Sequence, residues 1–111
     1  WTRAKGFDTF CPVGEPVPTA GMDLTALQVV TRVNGEDRQH GHSGDMAFPI
    51  TDVISWISRI MTLEPGDVIA TGTPEGVGPL AAGDEVEILL LDSEGAVLSS
   101  VANPVQVAPN P

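Results

Sequence analysis

The chain has 111 residues, the size of one domain, with 41% hydrophobic and 18% charged residues, a globular rather than a disordered composition. Its formal charge is −10, from 15 acidic against 5 basic residues, so its surface repels nucleic acid and anionic membranes. No apolar run is long enough to span a bilayer, no signal-peptide pattern opens the chain, and the single cysteine, Cys11, permits no internal disulfide. These features point to a reducing, cytoplasmic setting. The sequence begins Trp1-Thr2-Arg3 without an initiator methionine, as a processed chain or a fragment would.

Residues 1–26 are broken by Pro12, Gly14, Pro16, Pro18 and Gly21 and read as a long packed loop, with one short strand near 7–10. Cys11 reads as a small buried hydrophobe rather than a nucleophile. Residues 27–33 alternate, with Leu27, Val29 and Val33 on one face and Gln28 and Arg32 on the other. Asn34-Gly35 follows, a strong hairpin signal, and predicts a returning strand over 36–39. The turn-rich stretch HGHSGDMA reads as a solvated loop, with Asp45 as a cap near Pro49. Ile50, Val53, Ile54, Ile57, Ile60 and Met61 recur at helical spacing and predict a helix over 50–61, ended by Glu64-Pro65-Gly66. After it the chain reads as β. A short buried strand is expected at 68–71, then strands at 85–91 and 96–101, a last pairing at 105–107, and a loosely held tail at 108–111. The fold class is mainly β with one helix, an α+β roll in one unit over residues 1–107.

The glycine-rich run Thr71-Gly72-Thr73-Pro74-Glu75-Gly76-Val77-Gly78 is the chemically distinctive stretch. It has neither the lysine of a phosphate loop nor the strand and helix of a dinucleotide fingerprint. Thr-Gly-Thr after an apolar run can present backbone N–H groups and a hydroxyl to a carboxylate or enolate oxygen; on composition alone a tight structural turn explains it as well. His40 and His42 would share a face on a strand, yet no third metal ligand stands at a recognisable spacing. Lys5, the only lysine, stands four residues before Thr9, an arrangement that suits an anion but equally an exposed side chain. Glu85 and Glu87 alternate with apolar residues as the solvated face of a strand would.

Taken together, Lys5-Gly6-Phe7-Asp8-Thr9-Phe10-Cys11-Pro12, Val33-Asn34-Gly35 with Gln39, Asp45-Met46, the whole run 63–78, Gly83-Asp84 and Asn103-Pro104-Val105 resemble the fumarylacetoacetate hydrolase family. The resemblance covers nearly the whole chain. It implies a mixed β-roll, here the incomplete C-terminal part of a catalytic domain, in a protein that is usually a homodimer. It implies Mg²⁺ or Mn²⁺ and a small 2-oxo acid substrate, with an enolate stabilised next to a carbonyl. On the family pattern Lys5 matches the active-site lysine, and Gly72 and Thr73 match the turn that contacts the substrate carboxylate. Lys5 and Thr9 match positions that can contribute to a second metal site in some members. The main metal carboxylates and the water-activating His/Glu pair of the family precede the stretch matched here, so this chain by itself is expected to lack the metal site and to be inactive.

The implied reaction is C–C hydrolysis of acylpyruvate or fumarylacetoacetate-like substrates. An isomerase or decarboxylase of the 2-hydroxyhepta-2,4-diene-1,7-dioate type in aromatic catabolism is the alternative, and a non-catalytic β-rich dimerisation or binding module is the rival of another class.

Overall fold

The computed structural model describes residues 2–107. The expected tail at 108–111 lies outside the described residues. Four strands form one sheet in the order β2-β1-β3-β4, every neighbouring pair antiparallel. The strands are β1 (Gln28–Val33), β2 (Glu36–His42), β3 (Glu85–Leu91) and β4 (Val97–Pro104). A one-turn helix, α1 (Thr2–Lys5), opens the described chain, and a longer helix, α2 (Ile50–Ser58), sits between β2 and β3. The architecture is the α+β class expected, with one short helix more than the sequence suggests.

The β1–β2 hairpin turns on Asn34 and Gly35, at φ of 54° and 82°. Two successive positive φ values are what a two-residue turn needs to match the twist of its strands. The turn is tied to the start of β3: the Asn34 side-chain amide donates to Asp84 Oδ1 at 2.9 Å, and the backbone N–H of Glu85 donates to Asn34 Oδ1 at 2.9 Å. β2 runs three residues beyond the expected end at Gln39, because β1 supplies partners as far as Gln28 opposite His42. Its far end is closed by Ser43, whose hydroxyl accepts from the Leu27 N–H at 2.9 Å while its own N–H donates to the Leu27 carbonyl at 2.9 Å.

The buried centre of the sheet is Val30, Val33 and Leu89. Val30 and Leu89 are cross-strand partners on the face that also carries Gln28 and Arg32. The face read as polar in the sequence therefore holds the most buried residue, Val30, at 4% exposure. Towards its end that face turns polar: Arg32 Nε lies 2.8 Å from Asp37 Oδ1 and its Nη1 3.5 Å from Glu87 Oε2. Glu87 is thus a half-buried ion-pair partner.

Four sequence expectations are corrected. Residues 7–10 form a turn and not a strand, closed by the Phe10 N–H on the Phe7 carbonyl at 3.2 Å with the two rings 5.3 Å apart. Cys11 is exposed, and the chain after it runs along the edge strand β4, where the Ser99 hydroxyl donates to the Glu15 carbonyl at 2.7 Å. Residues 68–71 make no strand, and Val68 is 75% exposed: the segment pairs with neither edge strand, β2 or β4. Asp45 caps nothing: α2 starts at Pro49 with no side-chain cap, and Asp45 Oδ2 instead lies 3.8 Å from His42 Nδ1.

The helical stripe is real but only half covered. Beyond Ser58 the N–H groups of Ile60 and Met61 still donate to the Ile57 carbonyl, so the turn continues to the expected end. Ile50, Val53 and Ile57 are half-buried, whereas Ile54, Trp56, Ile60 and Met61 are exposed. Strand β4 runs to Pro104, past the expected end at 101, and Val105 continues its pairing instead of opening a separate strand over 105–107: the Val105 N–H donates to the Asp84 carbonyl at 2.7 Å and the Gly83 N–H to the Val105 carbonyl at 2.9 Å.

Candidate functional site

Strand β2 is an edge of the sheet, and an unprotected edge invites pairing with other chains. Here the segment Thr73-Pro74-Glu75-Gly76 lies across it, held by close packing and by one side chain. Gly41 faces Pro74 so closely that a Cβ there would stand 2.8 Å from Pro74 Cβ. Gly76 lies against the carbonyl of Arg38 with no room for a Cβ, and its φ of 97° is one that L side chains rarely adopt. The Gln39 side-chain amide donates to Thr73 Oγ1 at 2.9 Å and to the Pro74 carbonyl at 2.9 Å.

This arrangement closes one wall of an open cavity of about 650 Å³ between the sheet and α2. Val29 and Leu90 form its floor, Ile50 and Val53 of α2 one side, and Thr71, Gly72 and Thr73 the other. Gly72, at φ 101°, bends the backbone so that Thr71 and Thr73 both border the space. An apolar floor with two threonines on one wall, and Asp45 and Glu75 also at the border, suits a small molecule with one polar end.

His40 and His42 are on β2, not in a loop, with rings stacked 5.0 Å apart. They border the cavity, yet His40 is engaged with Gln28 Oε1 at 2.8 Å, and no group of three or more His, Cys, Asp or Glu side chains converges among the described residues. The residues present do not fit a divalent-ion centre.

Of the residues singled out in the sequence, Gly72 and Thr73 are together on the cavity wall. Lys5, exposed at the end of α1, and Thr9, in the turn after it, do not line that cavity. Thr9 holds φ at 69°, unusual for a β-branched residue, so the turn after α1 is strained at this position. Gln39 was part of the family pattern but not among the candidate site residues. The signal that could have found it is its place on a strand facing the glycine turn, which needs the strand pairing to be known.

The matching family model is Fumarylacetoacetate (FAA) hydrolase C-terminal, over residues 1–106, and the chain belongs to that family. It is 50% identical over 88 residues to the mitochondrial oxaloacetate tautomerase FAHD1 of Mus musculus, covering 78% of this chain and 40% of that protein. Among solved structures it resembles 5-carboxymethyl-2-hydroxymuconate delta-isomerase from Mycobacterium smegmatis, with 45% identity and a TM-score of 0.81 over 96% of this chain and 40% of that one. It also resembles maleylpyruvate hydrolase from Sphingobium sp. SYK-6 in complex with manganese(II) and pyruvate, with 41% identity and a TM-score of 0.77 over 90% of this chain and 37% of that one. The chain spans 36% to 40% of the length of the curated relatives it matches.

Among the described residues, no helix is long and apolar enough to cross a membrane.

Proposed function

We propose that this chain is the carboxylate-binding part of a divalent-metal-dependent enzyme acting on small 2-oxo acids. The observation that carries the reading is the Thr71-Gly72-Thr73 wall of the cavity, with the Thr73 hydroxyl held in place by Gln39. In this reading the Thr73 hydroxyl and the backbone N–H groups at the Gly72 bend receive the substrate carboxylate. Lys5 does not line this cavity and enters the proposal through the family pattern alone, as a source of positive charge in a chain otherwise rich in acid.

Mg²⁺ or Mn²⁺ belongs to the proposal through the family, one relative of which is described with manganese(II) and pyruvate. Its ligands would come from residues outside this chain. Bound there, the ion would supply Lewis acidity toward the 2-oxo group.

The preferred reaction is C–C hydrolysis of an acylpyruvate-like substrate, supported by the maleylpyruvate hydrolase. Isomerisation is the second reading, supported by the isomerase structure at a TM-score of 0.81 and by the oxaloacetate tautomerase. Homodimerisation of the intact protein is part of the same proposal.

The test is to incubate the intact protein, with Mg²⁺ or Mn²⁺, with maleylpyruvate, oxaloacetate enol and 2-hydroxyhepta-2,4-diene-1,7-dioate in turn. Turnover of the first alone supports hydrolysis, and turnover of either of the others alone supports isomerisation. No turnover and no binding of any of the three would favour the non-catalytic module.

A further inference from the structure

We propose that Gln39 is a positioning residue that fixes the polarity of the Thr73 hydroxyl, making it a hydrogen donor aimed at an acceptor-only ligand group such as a carboxylate. The proposal rests on the reading of Thr73 as a ligand-facing residue and deepens it.

The argument begins with the Pro74 carbonyl, which can only accept. Gln39 places one end of its side-chain amide 2.9 Å from that oxygen and 2.9 Å from Thr73 Oγ1. If the amide oxygen occupied this position, two acceptor oxygens would face each other. The Pro74 carbonyl therefore selects the NH₂ end, and its two hydrogens serve the two neighbours. Thr73 Oγ1 must then accept from Gln39.

A hydroxyl has one hydrogen and two lone pairs. With one lone pair engaged by Gln39, the Thr73 hydrogen is left to point elsewhere, and Thr73 borders the cavity. A donor N–H on a ligand is left one lone pair in place of two, whereas a carboxylate oxygen receives the uncommitted hydrogen directly. Gln39 itself is held by its strand: it pairs with Thr31 across the β1–β2 ladder, two residues from Gly41, whose missing side chain lets Pro74 approach. The selectivity for an anion is set by a side chain that does not touch the ligand.

The test uses the intact protein with Mn²⁺, a turned-over 2-oxo acid as substrate and pyruvate as a competing probe. Gln39→Met removes the donor at similar size. It is expected to raise KM and the pyruvate inhibition constant about 10-fold, with kcat changed less than about 3-fold. Gln39→Glu keeps the shape but accepts where glutamine donates, captures the Thr73 hydrogen and places a negative charge nearby; its expected loss is about 100-fold. In a Thr73→Val background Gln39→Met should add less than about 2-fold, because the polarity it sets no longer exists.

Equal effects of the Met and Glu variants, or a full additional penalty in the Thr73→Val background, would assign Gln39 a packing role and overturn the proposal. If Thr73→Val weakens pyruvate but no Gln39 variant does, the proposal alone falls. If Thr73→Val leaves KM and pyruvate inhibition unchanged, the reading of Thr73 falls with it. Should Gln39→Met not fold, Gln39→Glu, which has the native length, carries the same comparison.

Discussion

Gly41 and Pro74 are so close that a Cβ on the glycine would stand 2.8 Å from Pro74 Cβ and 3.0 Å from Pro74 Cγ. The proline ring cannot swing aside as a flexible side chain would, so the turn carrying Thr73 would have to move. Gly41→Ala is expected to cost about 1–3 kcal/mol of stability, as overpacking does, and to raise KM for a 2-oxo acid. Thermal unfolding and steady-state kinetics of the intact protein check both effects. A stable variant with unchanged KM would mean that the turn is not held by this contact.

Gly76 and Gly66 separate two costs that usually come together. Both have strongly positive φ, 97° and 98°. A Cβ at Gly66 meets nothing within 4 Å, whereas at Gly76 it meets the Arg38 backbone. Gly66→Ala should cost about 1–2 kcal/mol from backbone conformation alone. Gly76→Ala should exceed it by at least about 1–3 kcal/mol and displace the loop from β2. Equal losses in thermal or denaturant unfolding would remove the close approach at Arg38 from the account.

Asp84 contributes to the acid limb of stability. Its carboxylate accepts foremost from the Ala81 backbone N–H and then from the Asn34 side chain, and these bonds hold its pKa below the ordinary value. A folded-state pKa below the unfolded one gives stability that is present above about pH 4 and is lost as pH falls through the folded value. Asp23, held below its ordinary value by the hydroxyl and then the N–H of Thr25, acts with the same sign. Asp84→Asn should therefore flatten the fall in melting temperature below about pH 4. An unchanged acid limb would show that Asp84 does not carry it.

Thr73→Val and Lys5→Ala test the two candidate residues separately, since only the first lines the cavity. Thr73→Val is expected to lower kcat/KM about 10-fold or more with little change in melting temperature. Lys5→Ala is expected to lower it further, because the family pattern implies that its charge acts beside the substrate. Full activity in the Lys5→Ala enzyme would remove Lys5 from the site.

Much of the sheet was legible because its signals are local. Asn34-Gly35 sets the hairpin, and the β3 strand follows the Gly83-Asp84 turn where the pattern places it. What was not legible depends on partners. His40 and His42 look like loop residues until β1 is known to run alongside them. Val68-Ile69-Ala70 looks like a buried strand, but composition cannot say whether a free edge awaits it. In this sheet the β2 edge is met instead by the segment that follows, through glycine contacts and Gln39. At the site, the family pattern pointed to Gly72 and Thr73, and the cavity borders both. The role of Gln39 was hidden because it exists only across a distance of 34 residues in the chain.

The most direct measurement of the central claim is a crystal structure of the intact protein with Mn²⁺ and pyruvate. The account predicts a pyruvate carboxylate oxygen about 2.7 Å from Thr73 Oγ1, with the Gln39 amide still donating to that hydroxyl. A carboxylate bound beyond hydrogen-bond reach of Thr73, with the hydroxyl donating to a protein group, would contradict it.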